Sequence, residues 1–217
     1  MYNLSMSCSA NKIQVSLIKT ILLCLLALLF NLASAYFFGD MLHVPLFLDT
    51  IGTVVTVFYA GLVPGLIVAG FYNVLRVLLM VLMGNPAYPW DMMYALCGLV
   101  IAFCTWVFIY KNSNFRSGRL LTVLYLLLIV LVSSFASSLI GAGIETAQRI
   151  IFNNQIYSNP VTLFVQAFLG GNSGLFLACF ITRIPVTVLD RLICTFAGWG
   201  LYLLLKKITF RVKMNYA

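Results

Sequence analysis

The chain has 217 residues, of which 63% are hydrophobic and only 8% are charged, against about 25% in an ordinary soluble domain. A water-soluble fold of this length cannot bury so much apolar surface, so an ordinary soluble domain is excluded and lipid is the expected solvent. The 13 basic and 5 acidic residues give a net charge of +8, but the basic residues cluster at the ends of apolar runs, as membrane orientation requires. No nucleic acid partner is therefore predicted.

Apolar runs long enough to cross a bilayer recur along the chain, since one span needs about 20 apolar residues. They predict an all-α polytopic membrane protein, a six-transmembrane-helix bundle that forms one integral membrane domain over residues 1–217. The tails at residues 1–12 and 206–217 are predicted to be cytoplasmic. The predicted spans, in chain order, are about Val15–Phe38, Leu46–Tyr59, a third from the turn at Gly61–Gly65 to Met83, then Met92–Tyr110, Leu120–Ile144 and Pro185–Leu205.

Basic residues set the predicted orientation. The N-terminus, the Lys111–Arg119 loop and the C-terminal tail hold nine of the thirteen basic residues, and six spans place all three on one side, the cytoplasm of the cell. The stretch Val161–Thr182 is apolar enough to span, but three glycines interrupt it. It is predicted as an extra re-entrant or peripheral helical segment on the outer side, and whether it crosses the bilayer is left open.

Ionisable side chains within apolar runs point to function, because each costs about 2.5–3.5 kcal/mol at mid-helix on the translocon scale. Asp49, Arg76, Asp190 and Arg191 are expected at one depth in the outer half of the membrane. They either fix helix packing as ion pairs or line a pocket for a small polar or zwitterionic molecule. The aromatic rings of Tyr72 and Trp199 are further candidates for pocket walls, although such rings more often anchor at the interface. The predicted ligand-binding set is Asp49, Thr53, Asn73, Arg76, Trp90, Tyr94, Glu145, Asp190 and Arg191.

Motifs for catalysis are weak. The sequence Gly171–Gly174 (GNSG) matches the GxSG of rhomboid proteases, but that chemistry needs a later histidine, and the single histidine, His43, lies far upstream. The six cysteines form no CxxC pair and are expected to pack as small hydrophobes. No enzymatic activity, no cofactor and no metal site is predicted.

Small residues punctuate the first predicted span. Ala27 and Ala35 lie on either side of Asn31 at helical spacing, and such residues let a second helix approach closely. They form either an internal packing face or a docking surface for a partner membrane protein.

Two patches resemble a known family. The stretch Pro45–Thr53 (PLFLDTIGT), with Tyr59–Gly61, Pro64–Gly65 and then Asn73, resembles the substrate-binding S components of energy-coupling factor (ECF) transporters. Near the end, Arg183–Arg191 (RIPVTVLDR) resembles the start of their sixth helix.

The resemblance implies a small bacterial six-helix protein that takes up a vitamin or similar small polar nutrient through an extracytoplasmic pocket. It also implies a transmembrane coupling protein and cytoplasmic ATPases as partners. Family members carry alanines four apart on the first helix where the coupling protein docks, whereas Asn31 follows Ala27 here. The alternative is a non-transporting membrane sensor or scaffold that acts through partner proteins, and an intramembrane enzyme is a distant third.

Overall fold

The computed structural model describes residues 2–42, 44–84, 89–110, 115, 118–152, 165 and 174–215, with side chains between residues 17 and 208. Within these ranges the secondary structure is helical and contains no strand, as the sequence predicts. The helices, in chain order, are α1 (Tyr2–Ala35) with a π-helical turn (Tyr36–Met41), α2 (Ile51–Ala60), α3 (Leu62–Leu82), a 3₁₀-helix (Pro89–Tyr94) that leads into α4 (Ala95–Ile109), α5 (Arg119–Ile151) and α6 (Leu175–Asn215).

Four helical segments of the described chain are long and apolar enough to cross a membrane, judged by length and composition: Leu17–Met41, Leu62–Leu82, Pro89–Ile109 and Arg119–Ile151. Helix α2 is apolar but shorter. Helix α6 has 41 residues, and its apolar run is interrupted by Arg183, Asp190 and Arg191. The fold is therefore compatible with a multi-pass membrane protein, and the count of six crossings stays a prediction.

Several helix ends differ from the predicted ones. Helix α5 continues to Ile151 rather than ending at Ile144, because the polar residues that follow are buried against neighbouring helices. Helix α6 begins at Leu175 and passes through Pro185, which was predicted to start it. A proline lacks the N–H for one helical hydrogen bond, but helices within a membrane bundle tolerate proline because groups of neighbouring helices can satisfy the freed backbone carbonyl.

The predicted re-entrant segment and tails change accordingly. Of Val161–Thr182, the structure describes Val165 and residues 174–182, and Leu175–Thr182 forms the first turns of α6 rather than a separate element. The other residues of that stretch lie outside the described ones. The predicted tails continue α1 and α6 as far as the structure describes them.

Helix α2 occupies the centre of the bundle and packs against α1, α3, α4 and α6. At about 1.5 Å per residue its ten residues span only about half of a 30 Å hydrocarbon core. The predicted span Leu46–Tyr59 is thus helical only from Ile51 onward, and residues 44–50 precede it in extended or irregular form. Irregular backbone is stable in such a place only if protein groups satisfy it. The hydroxyl of Ser34 on α1 does so by donating to the carbonyl oxygen of Leu48 at 2.7 Å.

Glycines allow close contacts around α2. A Cβ at Gly52 would lie 2.4 Å from the carbonyl oxygen of Ala27 on α1. A Cβ at Gly198 on α6 would lie 2.7 Å from a methyl group of Val54. The backbones of α1 and α6 therefore approach α2 closely, as small residues permit in helix packing within lipid.

The bundle buries polar side chains and exposes apolar ones. Asn31, Thr53 and Thr56 are fully buried, and a run of α5 serines is also buried. The outer faces carry exposed large apolar residues, among them Leu25, Leu29, Phe30, Phe71, Leu120, Leu131 and Phe135. A bundle surrounded by lipid favours this distribution, since its outer surface then meets hydrocarbon while its polar groups pair inside.

Consecutive helices alternate in direction, so the bundle has two chemically different ends. At the ion end, α1, α3 and α5 finish and α2, α4 and α6 begin, and ion pairs connect these segments. At the aromatic end, Phe58, Phe115, Trp199 and Tyr202 pack together next to the connection between α4 and α5.

Candidate functional site

The first ion group joins the segment before α2 to α6. Arg191 pairs with its neighbour Asp190 and with Asp49, whose Oδ1 lies 3.3 Å from Nη2 of the arginine. Arg191 also donates to the hydroxyl of Thr50, and Asp190 accepts from the N–H of Leu48 at 2.6 Å. Asp190 is fully buried, whereas the Asp49 side chain is 20% exposed. Asp49, Asp190 and Arg191 therefore meet, as expected from the sequence, and we call these three the Arg191 group.

Arg76 pairs with a residue outside the predicted ligand-binding set. Its Nη2 lies 3.2 Å from Oδ1 of Asp40 in the π-helical turn, and its Nη1 lies 3.5 Å from the hydroxyl of Tyr72. Asp49 is within electrostatic range of both Arg76 and Tyr72, so this pair borders the Arg191 group without an ion pair to it. The Arg76 and Asp40 side chains are each 30% exposed, which leaves charged groups accessible beside the buried ones.

The second ion group lies where α5 ends and α6 begins. One oxygen of Glu145 accepts from Arg149 at 2.8 Å, and the other accepts from Nε of Arg183 at 2.9 Å. Arg183 also donates to the hydroxyl of Tyr94 at 3.0 Å and lies over its ring, 5.1 Å from the centroid. Glu145 and Arg149 are almost completely buried. We call Glu145, Arg149 and Arg183 the Glu145 group.

Glu145 and Tyr94 belong to the predicted site, but Arg149 and Arg183, the two arginines that pair with Glu145, do not. The spacing of Glu145 and Arg149, four positions apart, is a helical ion-pair signal that was open to detection. Arg183 lies before the predicted last span, which begins at Pro185, so the sequence places it outside the site. Gln148 was also missed, and its oxygen accepts from Tyr94 at 3.3 Å.

The two groups have opposite charge surpluses. In the Arg191 group, two carboxylates share one guanidinium, and in the Glu145 group two guanidiniums share one carboxylate. Cys97 on α4 is within electrostatic range of Asp49, Arg183 and Arg191, so both groups border the same part of the interior.

Thr53, a predicted ligand contact, packs instead against the first helix. It is fully buried and accepts from the side-chain amide of Asn31 at 3.1 Å, while the oxygen of that amide accepts from the N–H of Gly52 at 2.7 Å. These bonds fasten α1 to α2. Thr53 is thus bonded to another helix, and its role as a ligand contact stays a prediction.

The predicted docking set points inward. Ala27 is 6% exposed, Ala35 is 2% exposed and Asn31 is fully buried, because this face of α1 packs on α2 and α3. The contacts favour the internal packing interpretation, and docking of a partner through these residues stays a prediction.

The remaining predicted residues are spread out. Asn73 is half-buried on α3, and Trp90 is exposed with its ring against Phe152 at 6.3 Å between centroids. Trp199, a suggested pocket wall, belongs to the aromatic end, where its ring lies 5.1 Å from that of Phe58. The aromatic residues therefore do not form one wall.

An open groove of about 340 Å³ lies on the outer side of α3. None of the predicted ligand residues lines this groove. Its lining is apolar and consists of Val63, Leu66, Ile67, Gly70, Phe71 and Val74. A polar solute gains no hydrogen bond there, so the ion groups rather than this groove form the candidate site.

No cation-binding arrangement is evident in the part of the chain that the structure describes, since no three histidine, cysteine, aspartate or glutamate side chains are grouped to hold a metal ion. Comparisons with protein-family models, with curated proteins and with solved structures gave no match to this chain. The resemblance to ECF S components therefore stays a prediction, carried by the quoted residues alone.

Proposed function

We propose that the chain is an integral membrane protein that binds a small polar or zwitterionic solute and serves as the substrate-binding subunit of an ECF-type transporter. The observation that carries this proposal is the meeting of charged side chains from separate segments near one end of an apolar-surfaced bundle. Charges in lipid are costly and are retained mainly where they line a polar pathway or site.

Accessibility supports the same end of the bundle. Asp40, Asp49 and Arg76 are only partly covered and border each other, so a solute that arrives at this end meets both signs of charge. The opposite surpluses of the two ion groups suit a zwitterion, because each of its charged ends can face the group of opposite surplus.

Energy for uptake would come from partners, namely a transmembrane coupling protein and cytoplasmic ATPases. Since Ala27, Asn31 and Ala35 are buried, contact with the coupling protein is expected through exposed apolar residues of the helices instead. On α1 these include Leu22, Leu25 and Leu29.

The test is direct. The protein is purified in mild detergent and extracted with organic solvent, and the extract is analysed by mass spectrometry for a co-purifying small molecule. A thermal-shift screen with vitamins runs in parallel. A retained or stabilising solute supports the proposal, whereas failure of both assays removes it.

A non-transporting sensor or scaffold is the second candidate, and the Glu145 group favours it. Its ion pairs link α5 to α6, and Arg183 bonds Tyr94 beside α4, which is also what helix fastening requires. Uptake assays in cells that express the chain with and without a coupling module separate the two. Accumulation that needs both the chain and the module supports transport, whereas solute binding or partner capture without accumulation supports the sensor.

A further inference from the structure

The Glu145 group holds an unbalanced positive charge in the interior. Two guanidiniums, those of Arg149 and Arg183, share the single carboxylate of Glu145. The side chains of Glu145 and Arg149 are each 1% exposed and that of Arg183 is 10% exposed. A buried ion without a counter-ion is strongly unfavourable, so this arrangement requires another anion or a polar substitute.

Among the described residues, no carboxylate other than that of Glu145 forms an ion pair with Arg149 or Arg183. The five acidic residues of the chain are Asp40, Asp49, Asp91, Glu145 and Asp190. Asp40 pairs with Arg76, and Asp49 and Asp190 pair with Arg191. Asp91 contacts this region through Gln148, whose Nε2 donates to it at 3.4 Å. Residues 153–173, which follow α5 in the sequence, contain no aspartate or glutamate.

The geometry leaves one edge of Arg183 unused. Its Nε and Nη2 bond Glu145, and Nη2 also bonds Tyr94, whereas Nη1 makes no hydrogen bond to any residue in the described ranges. Nη1 lies against the backbone of Gly141, where a Cβ would be only 2.7 Å away. The absence of a side chain at Gly141 thus allows the guanidinium to reach this position.

A second unused polar group lies one turn away. Ser138 precedes Gly141 by three residues and therefore lies on the same face of α5. Its side chain is buried, and its Oγ has no hydrogen-bond partner among the described residues. The other serine hydroxyls of this run contrast with it, since Ser134 donates to Thr187 on α6 and Ser137 donates to Ser134.

We propose that a carboxylate of the bound solute lies between α5 and α6, where it accepts hydrogen bonds from Nη1 of Arg183 and Oγ of Ser138. The carboxylate neutralises the surplus charge of the Glu145 group, and both donors gain the partner that they lack. This inference rests on the proposed solute-binding function and specifies its ligand class, a water-soluble carboxylic acid.

The experiment compares what each variant retains after purification. Wild type, Ser138→Ala and Ser133→Ala are purified in the same detergent and extracted, and the aqueous and organic phases are analysed separately by mass spectrometry. Ser133 is the matched control, because it is a buried serine of the same helix whose hydroxyl already donates to Val130 at 3.3 Å. We expect a carboxylic acid in the aqueous phase of wild type and Ser133→Ala, and about tenfold less in Ser138→Ala, the effect of one hydrogen bond to a charged group.

A second pair tests the arginine without removing its charge. Gly141→Ala displaces the guanidinium of Arg183, because the new Cβ would lie 2.7 Å from its Nη1. Gly143→Ala is the control, because it makes the same exchange in the same helix at a position where a new Cβ meets nothing within 4 Å. Retention should fall in Gly141→Ala alone. If Gly141→Ala fails to fold, the comparison of Ser138→Ala with Ser133→Ala tests the inference, because Ser138→Ala removes no hydrogen bond among the described residues.

Three outcomes overturn the inference and leave the solute-binding function intact. The first is a retained solute without an acidic group, and the second is equal retention in wild type and Ser138→Ala. The third is that the only anions retained are lipids in the organic phase, while the aqueous phase contains a non-acidic solute. The absence of any retained or stabilising solute removes the proposed function itself.

Discussion

The backbone N–H of Leu48 donates to the carboxylate of Asp190 at 2.6 Å, although 142 positions separate the two residues in the sequence. Leu48 has a positive φ of 44°, in the left-handed region that non-glycine residues seldom adopt. The carboxylate of Asp190 thus holds the irregular segment before α2 in a conformation that the segment would not favour alone.

Asp190→Ala should therefore lower the free energy of unfolding by about 3–5 kcal/mol, the usual cost of removing one partner of a buried ion pair. The matched control is Asp40→Ala, which breaks a pair that is 30% exposed and should cost about 1 kcal/mol or less. Thermal unfolding of both variants in detergent measures the difference. Equal losses would mean that Asp190 contributes no more than an exposed ion.

Asn31→Ala tests whether the first helix uses this residue for packing. The substitution leaves the N–H of Gly52 unpaired inside the protein, which should cost about 1–3 kcal/mol. Phe30→Ala is the control, because Phe30 is a neighbour on α1 with 45% exposure. Unfolding is measured on the isolated protein. An unchanged Asn31→Ala protein that has lost only its binding to a coupling protein would return Asn31 to a docking role.

Gly52→Ala tests the close approach of α1 and α2. The added methyl would lie 2.4 Å from a backbone oxygen of Ala27, and backbone atoms cannot move aside as a flexible side chain does. We expect poor folding or a large fall in melting temperature. In Gly200→Ala the new Cβ meets nothing within 4 Å, so this helical exchange should stabilise the protein by about 0.5–1 kcal/mol. Similar melting temperatures for the two variants would contradict the packing.

Arg76→Ala should weaken solute binding more than it lowers stability, because its pair with Asp40 is partly exposed and borders Asp49. Loss of one charge-assisted hydrogen bond predicts about a tenfold to hundredfold weaker affinity. Binding is measured by titrating the solute identified by extraction, and stability by thermal unfolding. Lys206→Ala, at the exposed far part of α6, is the control that should change neither. A large stability loss with intact binding would assign Arg76 to packing.

Topology gives a prediction that depends on no ligand. Reporter fusions at the N-terminus, within Lys111–Arg119 and at the C-terminus should all report the cytoplasm, and a fusion within residues 84–91 should report the outer side. The two termini share one side because an even number of membrane crossings separates them. Termini on opposite sides would contradict the six-span count and the inferred outward position of the ion end.

Helical content was predictable from composition and periodicity, but some helix limits were not. The sequence predicts helix boundaries at the polar residues after Ile144 and at Pro185, because exposed polar residues and prolines usually end helices. Burial of Glu145, Arg149 and Arg183 reverses that inference, because each finds its partner on the same or a neighbouring helix.

By itself, the sequence determined the helical class and the apolar outer surface, because both depend on local residue composition. It also identified Asp49, Asp190 and Arg191, since charges within apolar runs are conspicuous. The tertiary structure alone decided the pairings: Arg76 with Asp40, Asn31 with Thr53, and Arg183 with Glu145. Partners separated by tens of residues meet only when helices pack in one particular arrangement, and no local pattern encodes that arrangement.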